Sequence, residues 1–206
     1  MLSPASSHPD TSRPLSPYTF AGMVEEGLKQ RFDEKDIERV LISLCLLDQE
    51  YYRKEFVGSD AAVDSEDLVQ ECHSYSPRIS VKPFWNPEVY EWAKYLESHH
   101  NEIRKELDAV TKKMVKLKQD GNNIWAGAFT EHGPSEIKKH NDFTNCVLTS
   151  HLALDIPFPG ENKCWLTVGG ESKQWINRNV YVFDTSLLHD AVNESDQKRF
   201  IPMLRL

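Results

Sequence analysis

His140 and Asp142 stand two residues apart, and His189 follows 49 residues later. On a strand or at its exit, positions i and i+2 point the same way, so the imidazole and the carboxylate can reach one ion. Two histidines and one carboxylate are the ligand set that binds Fe(II) on one face and leaves three positions open. Those positions suit a bidentate 2-oxo acid and O₂. A His-x-Asp pair also occurs in solvated loops, so the pair alone does not establish a metal site.

Arg199 comes ten residues after His189, at the start of the apolar segment Phe200 to Leu204. A single arginine on a strand behind such a metal can grip the far carboxylate of 2-oxoglutarate through a planar, charge-assisted fork. The competing reading is a surface arginine at a strand end. His151 falls on the polar face of its own segment, with Thr149 and Ala153. It is either a hydrogen-bonded core histidine or a contact to the co-substrate.

These residues need a rigid frame. From Ile124 onward the chain runs as short alternating segments separated by turn residues, the pattern of an all-β sandwich or barrel. Cys146 to Ile156 places Leu148, Leu152, Leu154 and Ile156 on one face and Thr149, His151 and Ala153 on the other. Cys164 to Val168, Asn179 to Phe183 and Arg199 to Leu204 read as further strands. Upstream, Phe20 to Phe56 reads as helical, with Asp33 and Asp36 available as caps for a second helix. Gly58 to Ser65 reads as a loop and Asp67 to Cys72 as a short helix. A long amphipathic helix spans about Glu88 to Lys118, with a kink expected near His99-His100, and Asp120 to Asn123 stops it.

Residues 1–17, rich in serine and proline, read as a disordered lead without the basic start and apolar stretch of a secretory signal. The domain expectation is therefore a lead over 1–17, a helical extension over 18–80, and a β-domain with its entry helix over 81–206. The net charge of −8 argues against a nucleic-acid or anionic-membrane partner. No apolar run approaches the ~20 residues that span a bilayer. Cys45, Cys72, Cys146 and Cys164 are widely spaced, with no Cys-x-x-Cys pair, which points to free thiols and a cytoplasmic setting.

From about Lys82 to Leu206 the chain resembles the aspartyl/asparaginyl β-hydroxylase family of Fe(II)- and 2-oxoglutarate-dependent oxygenases. The stretches that carry the resemblance are His132-Gly-Pro-Ser-Glu-Ile-Lys-Lys-His140 and Thr144-Asn-Cys-Val-Leu-Thr-Ser-His-Leu-Ala-Leu-Asp-Ile-Pro157. Val168-Gly-Gly-Glu-Ser-Lys-Gln-Trp175, Phe183-Asp-Thr-Ser-Leu-Leu-His-Asp-Ala-Val-Asn193 and Arg199 follow. Lys82 to Trp85 and Ile103 to Leu107 look like the family's entry helix region.

The resemblance implies an α+β fold with a double-stranded β-helix (jelly-roll, cupin-like) core behind an N-terminal helical region. It places His140 and His189 at the iron-ligand positions, Arg199 at the anchor for the C5 carboxylate, and His151 near the C1 end of the co-substrate. The best-known animal members have glycine where this chain has Asp142, so the chain carries a full triad. The family's arginine two residues before the His151 position is Thr149 here, and C1 recognition must differ at that residue. The segment from Trp125 to His132 looks shortened.

The chemistry implied couples oxidative decarboxylation of 2-oxoglutarate, giving succinate and CO₂, to O₂-dependent oxidation of an aliphatic C–H. Hydroxylation is the default outcome; desaturation and cyclisation are open to the same machinery. The expected substrate is a free amino acid or an amino-acid-derived small molecule, with Glu131, Lys138 and Asn145 as candidate contacts and the helical region as a lid or homodimer surface. The alternatives are a β-hydroxylase of Asp/Asn residues in a protein or peptide, and a cupin-like metal protein that is not an oxygenase.

Overall fold

The computed structural model describes residues 15–48, 53–56, 66–119, 134–158 and 160–206. The expectations for the lead, for the loop after Gly58, for the stop signal at 120–123 and for Glu131 and the Trp125–His132 segment lie wholly or largely outside them.

Alternation decides the β-region. Along β5 (Leu148–Leu152) and β8 (Val180–Asp184), Leu148, Leu152, Val180 and Val182 face one way, and His151, Tyr181 and Phe183 face the other. The two strands pair antiparallel, with β3 (Phe84–Trp85) beyond β8 and β10 (Met203–Arg205) beyond β5, giving sheet order β10-β5-β8-β3. A second antiparallel sheet has the order β4-β9-β6-β7, from β4 (Ser135–His140), β6 (Cys164–Val168), β7 (Glu171–Gln174) and β9 (His189–Asn193).

The inner faces of both sheets meet in one core. Cys164, Leu166, Val168 and Ala191 of the second sheet pack with Phe183 of the first, and Trp175 and Leu187 complete the cluster. The outer face of the first sheet is covered by α3 (Glu91–Ser98) and α4 (His100–Gln119), through Ala93, Trp92, Leu96, Ile103 and Leu107. Helices, first sheet and second sheet thus form three layers, a mixed helix and antiparallel-sheet fold of the α+β type expected. Leu152 is 1% exposed in the outer cluster, where truncation to alanine costs about 2–5 kcal/mol.

The kink falls at His99, whose backbone at φ −98°, ψ 14° separates α3 from α4. His100 then turns its Nε2 onto the Leu154 carbonyl at 2.9 Å, and Arg104 pairs with Asp155 at 2.6 Å, tying α4 to the chain beyond β5. Ile156 departs from the expected face and joins the inner core, because β5 ends at Leu152 and the alternation ends with it.

Three other expectations are corrected. Helix α1 (Phe20–Lys29) and helix α2 (Glu34–Asp48) form, but the helical reading does not extend to Phe56: Arg53–Phe56 is strand β1. Its partner is β2 (Val69–Cys72), where a short helix was expected, after a 3-10 turn at Glu66–Leu68. Four residues are too few to offset helix nucleation, whereas antiparallel pairing satisfies both backbones. The strand expected over Arg199 to Leu204 is split, with Phe200 making a lone bridge to Asp155 and β10 starting at Met203. Pro202 lies between them and has no N–H to give a ladder.

Candidate functional site

His140 is the last residue of β4 and His189 the first of β9, and the two are register partners across the ladder with ring centroids 4.2 Å apart. The ladder shifts by one residue between Ile137 and His140. The extra residue turns His140, rather than Lys139, toward the face that carries His189 and Ala191. Lys139 points elsewhere and pairs with Asp67 at 2.6 Å.

Both rings are oriented by their own backbone. His140 Nδ1 lies 2.7 Å from the Lys138 carbonyl and His189 Nδ1 lies 2.9 Å from the Leu187 carbonyl. A carbonyl only accepts, so each Nδ1 carries the proton and each Nε2 keeps its lone pair for a cation. Burial holds His189 below the ordinary histidine pKa, the Leu187 hydrogen bond working against that shift. Asp142 follows β4, pinned by its N–H donating to the Thr185 carbonyl at 2.8 Å. One ligand atom from each of His140, Asp142 and His189 lies within 4.8 Å of the others. This donor set of two imidazoles and one carboxylate can hold a divalent ion on one face.

Deeper between the sheets lies a polar group inside an apolar lining. His151 is wedged edge-on against Phe183, centroids 4.7 Å apart, and lies 5.8 Å from Trp175. Its Nδ1 is covered and has no hydrogen-bond partner among the described residues. Burial, reinforced by the nearby Arg199 and His189, lowers its pKa to about 3, so the ring is neutral. Arg199 stacks over Trp175 at 4.8 Å, and its Nη1 is likewise buried without a partner. Burial lowers the Arg199 pKa, partly offset by the Cys164 thiol beside it. Among the described residues no carboxylate pairs with Arg199. A half-buried guanidinium without a carboxylate beside it carries a desolvation cost, and an anionic ligand end would relieve it. Thr149 is buried, its hydroxyl 3.5 Å from that of Thr185.

Two features escaped the sequence reading. Gln70 of β2 donates to the Ser186 hydroxyl at 2.7 Å, and Asp184 accepts from the Ser186 N–H at 2.9 Å. This buried network braces the turn that delivers His189. Arg205 of β10 donates to Asp142 Oδ2 at 2.9 Å. Neither carries a spacing signal, because each depends on strands meeting from distant parts of the chain. Of the candidate substrate contacts, Lys138 is exposed, and Asn145 is spent on the backbone of Ser76, bonded to its N–H and its carbonyl at 2.8 and 2.9 Å.

With this geometry in place, the relatives become informative. Residues 128–206 match the family model described as Aspartyl/Asparaginyl beta-hydroxylase. The resemblance read from the sequence holds. The mouse protein named Aspartate beta-hydroxylase domain-containing protein 2 is 37% identical over 76 residues, 36% of this chain and 21% of the relative. Its human counterpart is also 37% identical over 76 residues, with 20% of the relative covered. The human protein named Aspartyl/asparaginyl beta-hydroxylase is 33% identical over 70 residues, 34% of this chain and 9% of the relative. The chain therefore spans about a fifth or less of the length of these relatives.

These matches correct one expectation. The expected partner was a small amino-acid-like molecule, whereas the matched family and the last relative are named for aspartyl and asparaginyl groups, the form these amino acids take inside a chain. The geometry agrees with the correction: His140 is exposed, and Phe143 beside Asp142 is 43% exposed, so the ligand cluster opens at the surface instead of inside a closed pocket. Among the described residues no helix is long and apolar enough to cross a membrane.

Proposed function

We propose that this chain is the catalytic region of an Fe(II)- and 2-oxoglutarate-dependent oxygenase that hydroxylates an aspartyl or asparaginyl residue of a peptide or protein. The observation that carries this reading is the guanidinium of Arg199, its Nη1 covered and without a carboxylate partner among the described residues, near His151 and the cluster of His140, Asp142 and His189. A cupin-like metal protein with hydrolytic or isomerising chemistry would have no use for that cation.

The residues fit the groups they would hold. His140, Asp142 and His189 offer two neutral nitrogens and a carboxylate, a donor set suited to Fe(II). Arg199 would take the C5 carboxylate of 2-oxoglutarate, with His151 and Thr149 toward the other end. Iron and the 2-oxo acid, when bound, supply the O₂-derived oxidant that replaces a C–H hydrogen by hydroxyl, with release of succinate and CO₂. The chain's own residues supply position and dryness. Backbone carbonyls of Lys138 and Leu187 fix the two imidazoles, Trp175 and Phe183 wall off water, and neutral His151 can donate or accept a hydrogen bond without adding charge. Within this reading the two facing sheets are the halves of a double-stranded β-helix, with α3 and α4 as its supporting layer.

The deciding experiment offers anaerobically prepared protein Fe(II), 2-oxoglutarate, O₂ and either Asp/Asn-containing peptides or the free amino acids, and follows succinate and peptide mass. Succinate coupled to a 16-dalton gain on a peptide is expected. Coupling to free amino acids alone would overturn the substrate class, and no succinate with any of them would overturn the oxygenase.

A further inference from the structure

The Arg205–Asp142 contact is out of place as a stabilising ion pair. The Arg205 side chain is 54% exposed and that of Asp142 18% exposed, and pairs so open to water contribute little. Its location is more telling. Arg205 lies on edge strand β10 of the first sheet, opposite Thr149 in the β5 register, while Asp142 follows β4 at the edge of the second sheet. The guanidinium therefore reaches from one sheet edge to the other, across the open side of the ligand cluster. Leu206 anchors it, exchanging both backbone hydrogen bonds with Leu148 at 2.9 and 3.2 Å.

Building on the proposed function, we infer that Arg205 is the residue that recognises a carboxylate on the incoming target, so that the site takes an acidic residue in preference to its amide. A divalent cation held by His140, Asp142 and His189 takes one oxygen of the Asp142 carboxylate, and the other keeps Arg205 beside the cation. The remaining N–H donors of its planar fork lie on the side from which a target arrives. Thr149, its register partner, is uncharged and directs its hydroxyl to Thr185, so it does not compete for the anion. An aspartyl carboxylate matches that fork with two parallel hydrogen bonds; an asparaginyl amide offers one acceptor and presents its own N–H groups to a donor. The chain carries 32 acidic against 24 basic side chains, so an outward cation beside the cluster runs against the prevailing charge.

The test uses the full chain loaded with Mn(II), which fills the site without turnover, and 2-oxoglutarate. Calorimetry measures binding of two peptides that differ only by Asp or Asn at the target position, for the parent, Arg205→Gln and Arg205→Lys. The parent is expected to bind the Asp peptide about tenfold tighter, the size of one charged hydrogen-bond pair. Arg205→Gln should erase that preference and Arg205→Lys keep part of it, with the 2-oxoglutarate affinity within about twofold of the parent. If Arg205→Gln instead weakens Mn(II) or 2-oxoglutarate and leaves the peptide preference intact, Arg205 serves Asp142 or the co-substrate and the inference is wrong. A parent that binds Mn(II) and 2-oxoglutarate but shows no Asp preference overturns the inference alone. A parent that binds neither overturns the proposed function beneath it.

Discussion

His140 and His189, 49 residues apart in the chain, sit directly opposite each other in the β4–β9 ladder. Cross-strand partners share a face, so the sheet itself sets the separation of the two rings, and only Asp142 depends on a loop. His140→Ala or His189→Ala should therefore abolish metal binding. Asp142→Gly should weaken it by about tenfold or more while leaving a residual two-histidine site. Titration of the anaerobic protein with Fe(II), or with Mn(II) in air, measures this. An unchanged affinity in Asp142→Gly would remove the carboxylate from the ligand set.

Arg199 separates co-substrate binding from metal binding. Arg199→Lys keeps a positive charge but loses the planar fork and the stacking over Trp175. The apparent affinity for 2-oxoglutarate should drop by about tenfold or more, on the order of 1.5–3 kcal/mol for a charged hydrogen bond. Metal affinity should stay as it was. A 2-oxoglutarate requirement that is the same in Arg199→Ala would remove the anchor role.

The buried His151 makes the metal-free fold sensitive to acid. Its pKa is about 3 in the fold against an ordinary 6.5, so between those values the unfolded chain binds a proton that the folded chain refuses. Stability falls as pH drops through that window, by up to ~1.4 kcal/mol per pH unit from this one group. Arg199 and His189, the charged and titratable groups facing it, push in the same direction. His151→Leu should flatten the decline between pH 6 and 4 in urea unfolding of the metal-free protein. A variant with the same slope as the parent would mean that His151 takes up its proton without unfolding.

Gln70 tests the brace behind His189. Its buried side chain donates to Ser186, three residues before the ligand. Gln70→Ala leaves Ser186 one donor short and should cost about 1–3 kcal/mol. Denaturant unfolding reads the stability, and a Mn(II) titration of the same variant reads how far the brace also holds the ligand in place. A loss of less than a few tenths of a kcal/mol would mean that water replaces the amide at no cost.

The sequence disclosed most where one period ran unbroken. Leu148 and Leu152 against Thr149 and His151 could be assigned to opposite faces by alternation alone, and the structure places them so. The break at His99 was legible because the apolar stripe loosens there. Beta strands β1 and β2 were not, since four residues carry no stable periodicity and their pairing is settled by a partner elsewhere in the chain. At the candidate site, the three residues that come together, His140, Asp142 and His189, could be picked out by type and spacing. The Gln70 and Arg205 contacts could not, because they arise only when separate segments dock.

The single extra residue in β4 is one that the facing of His140 and His189 can do without. Substituting Lys138 or Lys139 would leave the phase of the strand intact, and both are exposed side chains. Deleting one of them would close the irregularity and place His140 two residues after Ile137, which in a uniform pleat is again the position opposite His189. Such a deletion is expected to keep the two rings on one face, and a Mn(II) titration of the shortened chain reads whether the candidate site survives it. What sets the pair on one face is the register with His189, and not the number of residues between Ile137 and His140.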